Sequence, residues 1–479
     1  MSIDNPFRVL SLRVIFLAIS LLLAAGALRA EGLPNVILMV LDDMRKDDLV
    51  HMPKLQSLLV NQGLTFNEAF AVNATCCPAR ATILRGQYPH NSGVDRVGDG
   101  FQNFRTKGAE AATLATHLQA GGYRTGLYGK YFVDYPSAAN KTYTPPGWEE
   151  WVALGKKKGY YDYDMVENGV ATYYGTGPEN YSTDVLAGKV LGAIARAGSD
   201  PRPFFLYVAQ LAPHEPATPA DRHANLFSHL KAPRPSSYNE LNVTDKPLWI
   251  RNLSKLTSTD KTTIDNTYRD RLRALQSVDD MVESMVNKLT ALGKLDNTYI
   301  IFTSDQGFML GEHRIKHGKG NSYEEAIRVP MVVRGPGVAA GAGSSSIVLH
   351  TDLMPTILDL TVGGIPSFVD GRSFRTLLNG SVPKRWRSRF LIEHPVEPTI
   401  DVAFGAPPHH TIRTKRYLYT EYVFTSEKEF YDLGTDPYQL TNSYSYPGGT
   451  VITGLQADLA TLKTCAGATC VSAEDDPSP

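Results

Sequence analysis

The sequence predicts an α/β protein: a large, mixed, mostly parallel sheet flanked by helices, followed by a small C-terminal α+β domain with an antiparallel sheet. Three observations carry this. Residues 35–41, 204–208 and 299–303 are nearly continuous apolar runs, which read as strands buried on both faces. Between the last two, residues 270–292 place Leu275, Val278, Val282, Met285 and Leu289 at spacings of three and four, the signature of a helix with one apolar face. At about Trp386 the texture changes. Residues 417–423 alternate in strand fashion, 430–433 follow, Gly434-Thr435-Asp436-Pro437 makes a turn, and 450–463 read as a helix.

Length and composition agree with this plan. The 479 residues are 42% hydrophobic and 20% charged, ample for one large domain plus a smaller one. The formal net charge of -1 gives no bulk electrostatic case for nucleic acid or an anionic membrane, so any anionic substrate must be met by local positive groups. The 24 tyrosines would suit sugar stacking and equally serve as core and surface residues.

Residues 1–30 read as a secretory signal. Arg8 and Arg13 precede an apolar run over 14–28 that is short for a bilayer span, and cleavage is expected after Ala27 or Ala30. This leads to a secreted or periplasmic product, lysosomal in an animal source, with no membrane association after cleavage. The main α/β domain is then 31–385 and the smaller one 386–479, with residues 473–479 expected to be a disordered tail. An exported chain is exposed to oxidation, so Cys465 and Cys470 read as a short-loop disulfide, a free exposed pair being the alternative. Six Asn-x-Ser/Thr sequons occur, at Asn73, Asn140, Asn180, Asn242, Asn252 and Asn379.

The polar residues just past the buried strands are the candidate site, because open α/β sheets hold ligands at their strand C-terminal ends. Asp42-Asp43 follows the first strand and Asp305-Gln306 the third. Adjacent acids in such a place call for a positive partner, and a hard divalent cation would take carboxylate and amide oxygens. His214, in Pro213-His214-Glu215-Pro216, follows the second strand. Elsewhere stand Cys76-Cys77-Pro78-Ala79-Arg80 with Leu84-Arg85-Gly86, and Gly122-Tyr123-Arg124-Thr125 leading to Gly129-Lys130. Lys319 lies four residues before Tyr323, and His90 sits in Tyr88-Pro89-His90-Asn91. If a helix opens at Cys76, Arg80 shares its face one turn later.

The Cys-x-Pro-x-Arg pentad with Leu-x-Gly resembles the signature of type I sulfatases in the alkaline-phosphatase superfamily, and the resemblance covers nearly the whole mature chain. It implies that Cys76 is oxidised to formylglycine by a dedicated maturation enzyme of the host. The hydrated aldehyde then attacks sulfur, and its second hydroxyl later expels sulfate. It implies Ca²⁺, with Mg²⁺ as the alternative, bound by Asp42, Asp43, Asp305, Gln306 and residue 76, although Asn is common where Gln306 stands. It assigns Arg80 to the nucleophile and a metal carboxylate, Lys130 and Lys319 to the sulfate, and His214 to the leaving oxygen. His90 is a candidate substrate contact or a structural residue. Lys316 is a solvated surface lysine. Many sulfatases carry His where this chain has Phe132.

Within the family, Ala274-Leu275-Gln276-Ser277-Val278-Asp279-Asp280, Gly129-Lys130-Tyr131 and Tyr88-Pro89-His90-Asn91 look most like the N-acetylglucosamine-6-sulfatase branch. That implies a 6-O-sulfated glucosamine in a sulfated glycan. A phosphonate monoester or phosphodiester hydrolase using the same aldehyde, or a catalytically silent sulfoglycan-binding protein, are the rival readings. The small C-terminal domain, with its strand around 419–423 and an exposed loop at His409-His410, is expected to contribute part of the sugar contact, a bland exposed loop being the alternative for the His pair.

Overall fold

The computed structural model describes residues 32–137, 139–394, 406–445 and 449–475. The signal-peptide expectation therefore lies outside the described residues. Among those described, ten strands form one sheet. Its centre runs, in spatial order, Thr298–Ser304, Asn35–Leu41, Phe204–Ala209, Arg124–Gly129 and Glu150–Leu154. These five are mutually parallel. Met331–Arg334 pairs antiparallel on one side, and the hairpin strands Tyr163–Glu167 and Val170–Tyr174 close the other.

The buried runs are strands because both of their faces are covered. Val36, Leu38 and Val40 point into one apolar cluster, with Ile83, Leu114, Leu118 and Ile357. Ile37, Met39 and Leu41 point into the other, with Leu186, Val190, Leu275, Val278 and Met285. A period of two with both sets apolar leaves no solvent face, which is the parallel-sheet pattern. The long helix spans Ser258–Ala291, starting twelve residues before the expected 270. Its start is set by a capping box, in which Thr257 accepts from Asp260 N at 3.1 Å and Asp260 accepts from Thr257 N at 2.9 Å.

A second, four-stranded antiparallel sheet runs Arg389–His394, His409–Thr414, Tyr417–Tyr422 and Lys428–Asp432, covered by the helix Gly449–Leu462. Two expectations are corrected here. His409 and His410 are not an exposed loop: they open a strand paired with Arg389–His394, with His409 buried and His410 half-buried. Nor is the tail disordered from 473, since residues to Asp475 lie in the helix Ala468–Asp475. Its Glu474 is fully buried, accepting from Arg387 Nε at 2.8 Å and Tyr88 Oη at 2.6 Å. Cys465 and Cys470 form the disulfide, with Cα atoms 4.8 Å apart. Among the described residues, no helix is long and apolar enough to cross a membrane.

Candidate functional site

Four neighbouring parallel strands end side by side, and each end delivers a polar group. In spatial order the ends carry Asp305-Gln306, Asp42-Asp43, the turn to His214, and Lys130. Into this edge points the helix Cys76–Arg85, whose first residue is Cys76. Thr75 precedes it in extended conformation, and Gly86 ends it at φ 65°, a left-handed position suited to glycine. The end of a helix at which backbone N–H groups are unpaired favours negative charge, and here that end is the Cys76 end. Asn73 and Thr75 bond to each other by their side chains, and Asn73 Nδ2 donates to Glu393 O at 2.6 Å. The Asn73 sequon is thus fully buried and structural, whereas Asn140, Asn242, Asn252 and Asn379 are exposed.

Cys76 Sγ lies 3.1 Å from Lys319 Nζ and 3.7 Å from Asp42 Oδ1. Lys130 donates to Asp42, and Lys319 to Asp43. Arg80, one turn after Cys76, holds Asp305 Oδ2 through Nε and Nη2, both at 2.9 Å, and donates Nη1 to Lys130 O at 2.8 Å. His214 Nε2 is 3.8 Å from Asp43 Oδ2, and its Nδ1 is 2.6 Å from Glu215 O. The structure thus brings Asp42, Asp43, Cys76, Arg80, Lys130, His214, Asp305, Gln306 and Lys319 together. His90 faces elsewhere: Nδ1 is 2.8 Å from Glu393 Oε1 and Nε2 is 2.9 Å from Cys465 O. Lys316 pairs at the surface with Asp260 at 2.7 Å. Phe132 is buried against Tyr131, with ring centroids 4.5 Å apart.

The electrostatics of the cluster are those of crowded, dry charge. Burial alone would push Asp42 and Asp43 up, but the adjacent Lys130, Lys319 and His214 outweigh it and hold both carboxyls low. Burial also disfavours the two ammonium groups, yet Asp42 and Asp43 beside them keep Lys130 and Lys319 charged. Asp305 goes the other way, because burial and the neighbouring Asp42 raise it against the opposing pull of Arg80. Three carboxylates in one dry pocket are not all content as anions without a further cation.

A hard divalent cation fits these residues. One oxygen from each of Asp42, Asp43 and Asp305 lies within 4.8 Å of the others. Ligands on one calcium ion can be up to about 5 Å apart, since each sits 2.3–2.6 Å from it. Gln306 Oε1 is buried with no hydrogen-bond partner, while its Nε2 donates to Asp43. An orphaned amide oxygen beside three carboxylates is an all-oxygen donor set.

Sequence reasoning missed Arg271. It is fully buried, donates Nη1 to Pro213 O at 3.1 Å and Nη2 to Asp43 O, and so ties the Asp43 loop to the His214 turn. Asp43 itself sits at φ 72°, a left-handed conformation costly for a non-glycine residue. A signal was present. Arg271 falls on the core face of its helix, in the series Tyr268, Arg271, Leu275 and Val278, where a charge needs a buried partner. Tyr160, whose hydroxyl donates to His214 O at 3.0 Å, carried no such signal.

Comparison with known proteins identifies the family of the chain. Residues 34–364 match the family described as Sulfatase, and residues 311–464 match that described as N-sulphoglucosamine sulphohydrolase, C-terminal. The N-acetylglucosamine-6-sulfatase of Capra hircus is 34% identical, over 93% of this chain and 86% of that protein. A solved structure described as a complex with its substrate D-glucosamine-2-N,6-O-disulfate superposes with a TM-score of 0.73 at 24% identity, covering 94% of this chain and all of the other. The phosphonate monoester hydrolase of Silicibacter pomeroyi gives 0.69 at 24% identity, over 90% and 94% of the two chains.

Proposed function

The chain belongs to the sulfatase family and is a sulfuric ester hydrolase, and we propose that it removes the 6-O-sulfate of N-acetylglucosamine or glucosamine in sulfated glycans. The observation that carries this reading is the convergence of Cys76 with three carboxylates, Gln306 and two lysines at one sheet edge, in a chain similar over most of its length to an N-acetylglucosamine-6-sulfatase.

We assign the roles as follows. Converted to formylglycine, residue 76 would supply a hydrated aldehyde as nucleophile, and calcium held by Asp42, Asp43, Asp305 and Gln306 would offset negative charge there and on the sulfate. Arg80 fixes Asp305 and stands one turn behind residue 76, so it orients both. Lys319 is a donor already at the nucleophile and Lys130 stands beside it on Asp42, and their charges offset that of the sulfate oxygens. His214, partly exposed at the rim, is the general acid that gives a proton to the departing sugar oxygen. Its Nδ1 donates to Glu215 O, and Arg271 and Tyr160 hold the turn on either side of it. Secretion or periplasmic export and maturation by a host enzyme complete the reading.

The test is kcat/KM over a panel of defined sulfated sugars. N-acetylglucosamine 6-sulfate should lead, with little turnover of 4-sulfated galactosamine. A clear preference for galactose or uronic-acid sulfates overturns the substrate assignment. The fold is shared with a phosphonate monoester hydrolase, so phosphonate esters belong in the same panel. Faster turnover of those would replace the sulfate reading.

A further inference from the structure

A cavity of about 330 Å³ opens directly beside the cluster, lined among others by Lys130, Lys158, Tyr160, Tyr161, His214 and Glu215. It lies within the size range of small-molecule sites. Two of its lining residues, Lys130 and His214, belong to the charged cluster, so a molecule in the cavity has its ester within reach of them. Tyr160 is buried and props the His214 turn, and Tyr161 is half-buried, with its ring 5.2 Å from that of Tyr181.

Lys158 is the unusual member. Its ammonium donates to three backbone carbonyls, Val133 O at 2.9 Å, Tyr135 O at 3.0 Å and Gly155 O at 2.9 Å. An ammonium has three protons, so its hydrogen bonds are complete. Carbonyl dipoles satisfy donors but leave the unit charge in place. No described carboxylate forms an ion pair with Lys158, in contrast to Lys130 and Lys319, which each have one. The other titratable groups that bear on it are Lys130, Cys77, Asp134 and Asp42. Asp42 is already engaged by Lys130, and Asp134, which accepts from the backbone of Phe101 at 2.8 Å and Gln102 at 3.3 Å, favours the ammonium from a distance without forming an ion pair with it. Burial and the neighbouring Lys130 push the Lys158 ammonium down to about 8, so an anion entering the cavity would relieve it.

We propose that this cavity seats the sugar of the sulfate ester, and that the charge of Lys158, which no described carboxylate pairs directly, makes it select sugars carrying a second anionic group over singly charged ones. The inference rests on the glucosamine 6-sulfate reading. The second anion could be an N-sulfate on the same ring or the carboxylate of a neighbouring uronate. In either case the attraction is through space, because Lys158 has no proton left to donate.

The experiment compares KM for N-acetylglucosamine 6-sulfate, glucosamine N,6-disulfate and a 6-sulfated disaccharide bearing a uronate. Wild-type enzyme should bind at least one doubly charged substrate roughly five- to tenfold better than the singly charged one, the effect of one partly screened charge several ångströms away. Whichever doubly charged arm shows the preference identifies the source of the anion. Lys158→Met should bring that ratio to about one, and Lys158→Arg should retain it. Lys158→Gln, of similar length and uncharged, should bring the ratio to about one as well, and this variant serves if the Met variant does not fold. Equal KM values in wild type, or a preference that survives in whichever uncharged Lys158 variant folds, overturn the inference while leaving the 6-sulfatase reading intact. Failure to turn over any 6-sulfate overturns both.

Discussion

Two of the buried acidic sites among the described residues, about one loop apart, differ in how their charge is met. At the strand ends, Asp42, Asp43 and Asp305 face Lys130, Lys319 and Arg80. Under the C-terminal sheet, Glu429 accepts from Tyr323 Oη at 2.9 Å, Tyr422 Oη at 2.6 Å and Tyr431 Oη. Lys246 completes that group, donating to Tyr431 Oη at 2.9 Å and to Gln439 O. The first group has as many cations as anions, yet Gln306 Oε1 stays unpartnered and Asp305 is pushed toward protonation. The second saturates one carboxylate with neutral hydroxyls. A carboxylate whose acceptors are all filled is what a structural network needs at its centre. Incomplete satisfaction, focused on one amide oxygen and one carboxyl, is what a site leaves for a ligand. Both groups flank the same loop: Lys319 on one side, and on the other Tyr323, stacked on His313 with ring centroids 3.9 Å apart.

The largest effect should come from the nucleophile. Cys76→Ala should fold with unchanged stability but lose at least about 10⁴-fold in kcat, because no other group can take over bond formation to sulfur. Cys77, whose Sγ only accepts from Val133 N at 3.3 Å, is the control, and Cys77→Ala should keep substantial activity. Peptide mass spectrometry should find residue 76 as formylglycine in active protein. Fully active enzyme carrying only the unmodified thiol would remove the proposed mechanism.

Next is the cation. Asp305→Asn and Asp43→Ala should each lose bound calcium and roughly 10³-fold in activity together, and a chelator should reproduce the loss in wild type. The comparison between the two groups breaks if the same metal-analysis experiment finds no ion in active protein. It also breaks if activity falls while the ion is retained.

Much of this arrangement was legible in the chain itself, and the parts that were not share a cause. The strands at 35–41, 204–209 and 298–304 announce themselves because both faces are apolar, and the acids just past them follow from that. The start of the long helix was hidden because residues 258–270 are polar apart from Ile264 and Tyr268, although the Thr257–Asp260 box marked it. His409-His410 looked like loop because the strand they open buries polar side chains. Thr411 bonds to Ser322 at 2.7 Å and Thr420 at 2.8 Å, and Arg413 Nε donates to Glu324 at 2.7 Å. Glu474 looked like tail because its partners Arg387 and Tyr88 are distant in sequence. Local pattern reports apolar burial well. It says little about burial achieved through partners elsewhere in the chain.

The Glu429 group should therefore respond to mutation in stability and not in chemistry. Glu429→Gln replaces a charge-assisted acceptor of three hydroxyls by an amide and should cost about 2–3 kcal/mol in denaturant unfolding. Calcium content and kcat of the folded fraction should stay near wild type. A loss of calcium in this variant would mean that the two groups are one network across the Lys319 loop.

The smallest and most diagnostic effect is at His90. Both of its ring nitrogens meet acceptors, Glu393 and the Cys465 carbonyl, an arrangement that only the doubly protonated ring satisfies. Burial opposes the charge, but the Glu393 carboxylate overcomes it and raises the imidazole to about 9 from an ordinary 6.5. A raised folded-state value means that protonation stabilises the fold. The contribution is complete below about pH 6.5, where the unfolded chain is also protonated, and is lost as pH rises through about 9. His90→Gln should accordingly cost on the order of 1 kcal/mol at pH 6 and close to nothing at pH 10, measured as the difference in unfolding free energy from wild type. Its KM for N-acetylglucosamine 6-sulfate should be unchanged if His90 only bolts the Pro89–Ser92 turn to the C-terminal sheet. A KM that rises in His90→Gln with no pH-dependent stability difference would return His90 to the substrate pocket, where the sequence also allowed it to be.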